Sequence, residues 1–211
     1  MTDPPINKIV IFAVSGLESE MLTRARLDID RIFYCQTEII PLSNDLTYAL
    51  DPARNQYLSA SILDKLITLA PGHAVKALAI VEVDLFIPIL THVYGEAQMG
   101  GKACIVSTYR LGEGVSLASE TYFHRVAKET IHELGHTFNL RHCPSKACIM
   151  HYCRTLNDVD RRPDDLCRYC KVLLDDEIER LAKQSHLSSA NGNNINRISG
   201  IKKNVSQSLP P

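Results

Sequence analysis

The chain has 211 residues, of which 45% are hydrophobic, so it can bury a core as one domain or as two closely packed subdomains. Its formal net charge of −1 gives no electrostatic basis for binding nucleic acid. No uncharged apolar run approaches the roughly 18 residues that span a bilayer, and the polar start MTDPPINK does not resemble a signal peptide. We therefore predict a cytoplasmic protein with no membrane segment and no nucleic-acid partner.

The first part of the chain alternates between strand-like and helix-like patterns. Short β-rich apolar runs predict buried strands, and apolar residues at helical spacing predict the helices between them. Strands are expected over Lys8–Val14, Glu38–Leu42 and Ala77–Val83, with helices over Leu17–Phe33 and from Asp51-Pro52 to Ala70. This order is typical of an α/β layer with parallel strand pairs.

A Gly-Gly turn at Gly100-Gly101 follows the third strand and predicts a hairpin. Its two strands are expected around His92–Gln98 and Ala103–Thr108, which makes one strand antiparallel at the edge of the sheet. Ser119 or Thr121 can then cap a helix that runs into the sequence IHELGH.

The composition changes after His142, the last residue of the sequence IHELGHTFNLRH. Cys, Pro, Asp and Arg dominate up to Cys170, and few aliphatic side chains remain to form a core. The charged run Asp160–Asp165 predicts a solvated loop. A last helix is predicted around Leu174–Ala182, and the polar residues 188–211 are expected to form a flexible tail.

Two histidines four residues apart, His132 and His136, share one face of a helix and can reach one metal ion. Glu133 follows the first of them, where its carboxylate can hold and deprotonate a metal-bound water. His142 can be a third ligand if the chain reverses sharply between His136 and His142. Such a reversal needs a left-handed residue, and Asn139 is the best non-glycine residue for that conformation. Three imidazoles and one open position indicate a catalytic zinc site.

Five of the seven cysteines fall within 28 residues after this motif. Because the chain shows no export signal, metal binding is the favoured use of these thiols over disulfides. Cys143, Cys148, Cys167 and Cys170 have the spacing of a closed four-thiolate zinc site, which has a structural role. Cys153 is a rival ligand or a spare thiol, and Cys143 is a rival ligand for the catalytic zinc.

Together these residues resemble the archaemetzincin family of the metzincin clan. That family carries HExxHxxGxxH, then a cysteine, then C-x-M, then C-x-x-C. The matching sequences here are HELGHTFNLRHC, Cys148-Ile149-Met150 and Cys167-Arg168-Tyr169-Cys170. The stretch VYGEAQMGGKACIVSTYRL also resembles the sheet region ahead of the family's active-site helix. Asn139, where the family has glycine, is the departure inside the core motif.

The resemblance implies a metzincin-like α/β (α+β) fold in two subdomains. Residues 1–140 would form a twisted mixed sheet with the active-site helix, and residues 141–187 a small irregular subdomain stabilised by zinc. Met150 would be the residue of the methionine turn, which supports the zinc ligands from below. The edge strand would lie along the cleft and pair with an extended peptide.

The resulting hypothesis is a cytoplasmic, monomeric zinc metallopeptidase that acts on a peptide or protein substrate. Glu133 would activate a zinc-bound water at His132, His136 and His142. The four cysteines would bind a structural zinc, giving two zinc ions per chain. One alternative is a catalytically weak zinc protein that acts as a peptide-binding or regulatory module, and another is a zinc amidohydrolase for non-peptide amides.

Overall fold

The computed structural model describes residues 8–184 of the chain. The chain divides into two compact units, residues 1–174 and residues 175–211. The tail expected over residues 188–211 lies outside the described residues. The subdomain boundary expected after residue 140 stays a prediction. Across residues 8–184, no helix combines the length and the apolar character that crossing a membrane requires.

The first unit alternates strands and helices, as the sequence patterns predict. Its elements are β1 (Lys8–Val14), α1 (Ser19–Phe33), β2 (Gln36–Leu42), β3 (Leu50–Asp51), β4 (Gln56–Leu58), α2 (Ser59–Leu69), β5 (Ala74–Val81), β6 (Leu85–Phe86), β7 (Gly95–Ala97), β8 (Ala103–Ser107), α3 (Glu120–Thr137) and α4 (Leu156–Arg161). Residues 168–184 form a last helix, α5, of which residues 175–184 are the described part of the second unit. The predicted last helix is therefore confirmed.

The main sheet has five strands in the order β2-β1-β5-β8-β7. Neighbouring strands are parallel except for β7, which pairs antiparallel with β8 at the edge. This arrangement confirms both the parallel layer and the antiparallel edge hairpin. A smaller sheet of β3, β4 and β6 accompanies it.

The central strands β1, β5 and β8 are buried on both faces of the sheet, toward which their successive side chains alternately point. Val10 and Phe12 of β1 pack in one apolar cluster with Ile62 and Leu66 of α2. The residues between them, such as Ile9, are equally buried on the other face. α1 and α3 pack against one another. Near the ends of these two helices, the rings of Phe33 and Phe138 stack with centroids 4.9 Å apart. The predicted mixed α/β fold is therefore confirmed.

The helix predicted to begin at Asp51-Pro52 begins later, at Ser59, so this prediction is wrong. Asp51 ends β3, and its carboxylate accepts hydrogen bonds from the backbone N–H groups of Ala53 and Arg54, at 2.9 and 3.2 Å. Asn55 then takes a left-handed conformation with φ of 51°. Asp-Pro serves here as a turn signal between β3 and β4 instead of a helix start.

The solvated loop predicted over Asp160–Asp165 is also wrong in part. Thr155 and Asp158 form a capping box that begins α4, a helix that the composition did not indicate. Asp160, inside α4, pairs with Arg125 of α3, and Arg162 is only 4% exposed. The charged side chains of this segment therefore face α3 as well as solvent.

Candidate active site

α3 carries two of the predicted histidine ligands and the predicted base. Ser119 caps the helix, because its Oγ accepts a hydrogen bond from the backbone N–H of Tyr122 at 3.2 Å. Near the other end, His132, Glu133 and His136 are 5%, 7% and 8% exposed. One helical turn separates the two histidines, so both rings lie on the same buried face.

The end of α3 turns the chain back toward the histidines. Asn139 adopts φ of 64°, in the left-handed region. The backbone N–H of Leu140 donates to the carbonyl of Gly135, and that of Asn139 to the carbonyl of His136, both at 3.0 Å. These two bonds form a Schellman motif, which satisfies helix-end carbonyls. The reversal predicted at Asn139 is therefore present, and asparagine takes the conformation in which glycine is usual.

Replacing Asn139 tests this turn. Asn139→Ala is expected to destabilise the fold by about 1 to 2 kcal/mol, because a Cβ without a polar partner is disfavoured in the left-handed region. Asn139→Gly is the matched control and is expected to stay within about 1 kcal/mol of wild type. Urea denaturation measures both values. Equal stabilities of the alanine and glycine variants would contradict the left-handed assignment.

The three predicted histidines converge in space. Their ring centroids are 4.7 Å apart for His132 and His136, 5.3 Å for His132 and His142, and 4.9 Å for His136 and His142. One ring nitrogen from each lies within 4.8 Å of the others. His142, which follows the turn, is exposed, whereas the other two are buried.

The hydrogen bonds of two rings fit a metal at their inner nitrogens. His132 Nδ1 lies 2.9 Å from the carbonyl oxygen of Ile149, and His136 Nδ1 lies 2.7 Å from that of Leu140. When these Nδ1–H groups donate, both Nε2 atoms carry lone pairs, and they face one another at 3.2 Å. Two lone pairs so placed need a cation between them. Nitrogens bound to one tetrahedral zinc at about 2.0 to 2.1 Å lie about 3.3 Å apart, so the spacing of these two nitrogens fits a zinc ion.

Burial sets the protonation of these groups. It lowers the pKa of all three imidazoles, and for His132 the Arg162 guanidinium adds to the effect. The rings are therefore held neutral, which is the form that binds metal. Burial, together with the nearby Glu129 carboxylate, raises the pKa of Glu133 well above its usual range, and the Arg162 guanidinium opposes that rise.

A cleft of about 360 Å³ opens beside the histidines. Besides the three rings and Glu133, it is lined by the segment Val93–Gly95 of the sheet edge and by Tyr152 and Arg154. The Tyr152 ring lies 5.0 Å from the His142 ring. A volume of this size is typical of a ligand-binding pocket.

The edge strand β7 lies directly against Glu133. A Cβ atom placed on Gly95 would be 2.6 Å from Cγ of Glu133 and 2.7 Å from the carbonyl oxygen of Ile105. Only glycine therefore allows the strand to approach this carboxylate so closely. The sequence patterns did not indicate Gly95, because its role depends on a contact between distant segments.

The segment after the third histidine supports α3 from the other side. Met150 is fully buried, and a Cβ atom on Gly135 would lie 2.5 Å from its Sδ. The carbonyl of Met150 accepts a hydrogen bond from the backbone N–H of Cys143 at 2.8 Å. Met150 thus lies against the helix turn between His132 and His136, where the resemblance implies a methionine turn.

The four predicted cysteines also converge. Their Sγ atoms lie within 4.8 Å of one another, and those of Cys143 and Cys167 are 3.9 Å apart. Sulfurs bound to one tetrahedral zinc at about 2.3 Å lie about 3.8 Å apart, so this donor set fits zinc as well. Cys153 is not a member of this group among the described residues, and it lines the cleft instead.

Two charged residues beside the site were not predicted. Arg162 donates through Nη2 to Oε1 of Glu129 at 2.6 Å, and both side chains are almost fully buried. Arg162 Nη1 also lies 3.1 Å from Nδ1 of His132. The sequence did offer one signal for Glu129: it lies one helical turn before Glu133, which places it on the same buried face of α3. Its partner lies 33 residues away, where no local pattern indicates it.

Comparisons with known proteins identify the family of the chain. The family model described as Peptidase family M54 matches residues 17–176. An archaemetzincin of Halobacterium salinarum is 32% identical over 170 residues, which are 78% of this chain and 97% of the relative. One from Methanopyrus kandleri is 38% identical over 133 residues, which are 63% of this chain and 74% of the relative.

Solved structures resemble the fold along most of its length. The crystal structure of the Methanopyrus kandleri archaemetzincin has a TM-score of 0.74 at 31% identity, and covers 83% of this chain and 97% of its own. The crystal structure of the Archaeoglobus fulgidus archaemetzincin, complexed with malonate, has a TM-score of 0.67 at 30% identity. It covers 79% of this chain and 99% of its own. The family match and these identities confirm the resemblance stated from the motifs. The chain therefore belongs to peptidase family M54, the archaemetzincins, and is a zinc metallopeptidase.

Proposed function

We propose that the enzyme hydrolyses peptide bonds with Glu133 as general base and with His132, His136 and His142 as the ligands of a catalytic zinc. The observation that carries this proposal is the convergence of three imidazole nitrogens within 4.8 Å, two from α3 and one from the segment after its turn, beside Glu133 of the same helix. Three neutral ligands leave a fourth position open, as a catalytic zinc requires.

The zinc, when bound, supplies a Lewis acid that polarises the substrate carbonyl and lowers the pKa of a water ligand to about 7. Glu133 takes a proton from the attacking water and later delivers it to the leaving amine nitrogen. His132 and His136 keep their inner nitrogens aimed at one point, because their Nδ1 atoms are bonded to backbone carbonyls.

The edge strand β7 binds the substrate main chain in this proposal. β7 is the edge strand of the sheet among the described residues, so its outer side faces no other strand of that sheet and an extended peptide can pair there. Gly95 brings this strand into contact with Glu133. A peptide paired with β7 therefore passes close to the base and the three imidazoles.

A second zinc at Cys143, Cys148, Cys167 and Cys170 has a structural role in this account. Four thiolates fill a tetrahedral site and leave no position for water. The segment they hold contains Ile149, whose carbonyl orients His132, and Met150, which packs on α3. The proposed total is two zinc ions per chain.

Removal of zinc provides the test. Purified enzyme is incubated with a peptide library, and mass spectrometry identifies the products, before and after treatment with a chelator. We expect cleavage by the untreated enzyme, no cleavage after removal of the catalytic zinc, and recovery when zinc but not magnesium is added back. Unchanged cleavage by zinc-depleted enzyme would contradict the proposal. An absence of cleavage throughout would favour the peptide-binding alternative.

A further inference from the structure

The ion pair between Arg162 and Glu129 lies next to the proposed zinc ligands. The side chains are 1% and 4% exposed, and the Nη2 to Oε1 distance is 2.6 Å. Burial of two charges costs about as much as their attraction returns, so such a pair is weak evidence for a role in stability. Its contacts beyond the pair therefore indicate what it does.

The contacts of Arg162 lead to the first histidine of the motif. Nη1 lies 3.1 Å from Nδ1 of His132, which also lies 2.9 Å from the carbonyl oxygen of Ile149. Nδ1 has one in-plane hydrogen-bonding direction, and in the zinc-binding tautomer its N–H donates to the carbonyl of Ile149. The approach of Nη1 then joins two N–H groups, so it is a steric contact and not a hydrogen bond. The guanidinium then lies against the same edge of the ring. His132 is thus confined on the side opposite to its Nε2 by a rigid, planar group.

Glu129 fixes the position of that planar group. It stands three residues before His132 on α3, and Arg162 follows directly after α4, so the pair joins the two helices beside the ring. Glu129 pairs with Arg162, whereas the carboxylate of Glu133, one turn further along α3, makes no ion pair within residues 8–184. Glu133 is left free to face the cleft.

We propose that Arg162 and Glu129 are positioning residues that hold the His132 ring in its zinc-binding orientation. The inference rests on the proposed role of His132 as a ligand of the catalytic zinc. Loss of the hydrogen-bond partner of the outer nitrogen of a metal-binding histidine changes metal affinity or activity by about 10- to 100-fold. That partner here is the Ile149 carbonyl, so displacement of the His132 ring from this carbonyl is expected to have an effect of that order. The pair would therefore act through the metal affinity and the turnover of the site.

The double variant Glu129→Gln/Arg162→Met is the main test, because it replaces both charges with neutral side chains of similar size. A single Arg162→Met would leave Glu129 buried and unpaired, which can prevent folding. We expect the affinity for the catalytic zinc, measured by competition with a chelator, to fall by about 10- to 100-fold. We expect kcat at saturating zinc to fall as well. Glu129 lines the cleft and Arg162 does not, so KM is compared with that of Arg162→Lys, which is expected to stay within about twofold of wild type.

The second ion pair between α3 and α4 provides a matched control. Arg125 binds Asp160 through two hydrogen bonds of 2.7 and 2.8 Å, and the Arg125 side chain is 7% exposed. It contacts none of the three histidines among the described residues. Arg125→Met/Asp160→Asn is expected to lower the melting temperature and to leave zinc affinity and kcat as in wild type.

The outcomes separate this inference from the proposal on which it rests. Equal losses of zinc affinity in the two double variants, or no loss in Glu129→Gln/Arg162→Met, would overturn the positioning role. His132→Ala is expected to lose the catalytic zinc, and if it keeps both zinc and turnover, the ligand assignment itself fails. Should the first double variant not fold, Arg162→Lys takes its place. It keeps the charge but not the planar group, so a wild-type zinc affinity in Arg162→Lys would equally overturn the inference.

Discussion

Glu133→Gln is expected to lose turnover by a factor of about 10² to 10⁴ while it keeps zinc at both sites. The amide has the size of the carboxylate but cannot accept a proton from the attacking water. The fold should not suffer, because the substitution removes a buried charge that stands one turn from the Glu129 carboxylate. A melting temperature equal to or above that of wild type is therefore expected.

The measurement combines kcat/KM on a cleaved peptide with zinc content by atomic emission. Glu120→Gln is the matched control, since it changes the same atoms in the exposed first turn of α3, where Glu120 pairs with Arg24. It is expected to keep both zinc and turnover. If Glu133→Gln retained a third or more of the wild-type kcat/KM, Glu133 would not be the base.

Cys148→Ser is expected to remove the second zinc and to destabilise the first unit by more than about 4 kcal/mol, as loss of a structural metal does. Cys148 is fully buried and directly precedes Ile149 and Met150. Because the carbonyl of Ile149 holds His132 and Met150 packs on Gly135, we expect the loss to weaken the catalytic site as well. Zinc content and urea denaturation measure the two effects.

Cys153→Ser is the control for that variant. Cys153 belongs to the same segment, but its Sγ contacts the carbonyl of His151 at 3.7 Å and not the other thiols. We expect two zinc ions per chain and a stability within about 1 kcal/mol of wild type, since the thiol is only half-buried. A loss of zinc from Cys153→Ser with none from Cys148→Ser would mean that Cys153 is the fourth ligand.

Local patterns predicted the elements that carry the site. β1 has the bounds that its apolar run indicates, and α3 puts His132 and His136 on one face because their spacing matches a helical turn. Asn139 was predicted to take the left-handed conformation, since asparagine is the best non-glycine residue for it, and φ is 64° there. These predictions depend on interactions within a few residues of the chain.

The features that the sequence did not indicate depend on distant contacts. Asp51-Pro52 is compatible with a helix start and with a turn, and only the pairing of β3 with β4 decides between them. Arg162 was expected in a solvated loop, because the sequence signal for burial is the spacing of apolar residues, and a charged residue does not contribute to it. Its partner Glu129 lies on α3, so the two could not be matched before the helices were placed together.

We expect one zinc to lie among three imidazoles beside Glu133 and a second among four thiolates. An anomalous difference map from a crystal of the zinc-loaded enzyme, measured on both sides of the zinc absorption edge, tests it most directly. We predict two peaks per chain, one bound by His132, His136 and His142, the other by Cys143, Cys148, Cys167 and Cys170. A single peak, or a histidine peak that also has Cys143 or Cys153 as a ligand and so no open position, would contradict it.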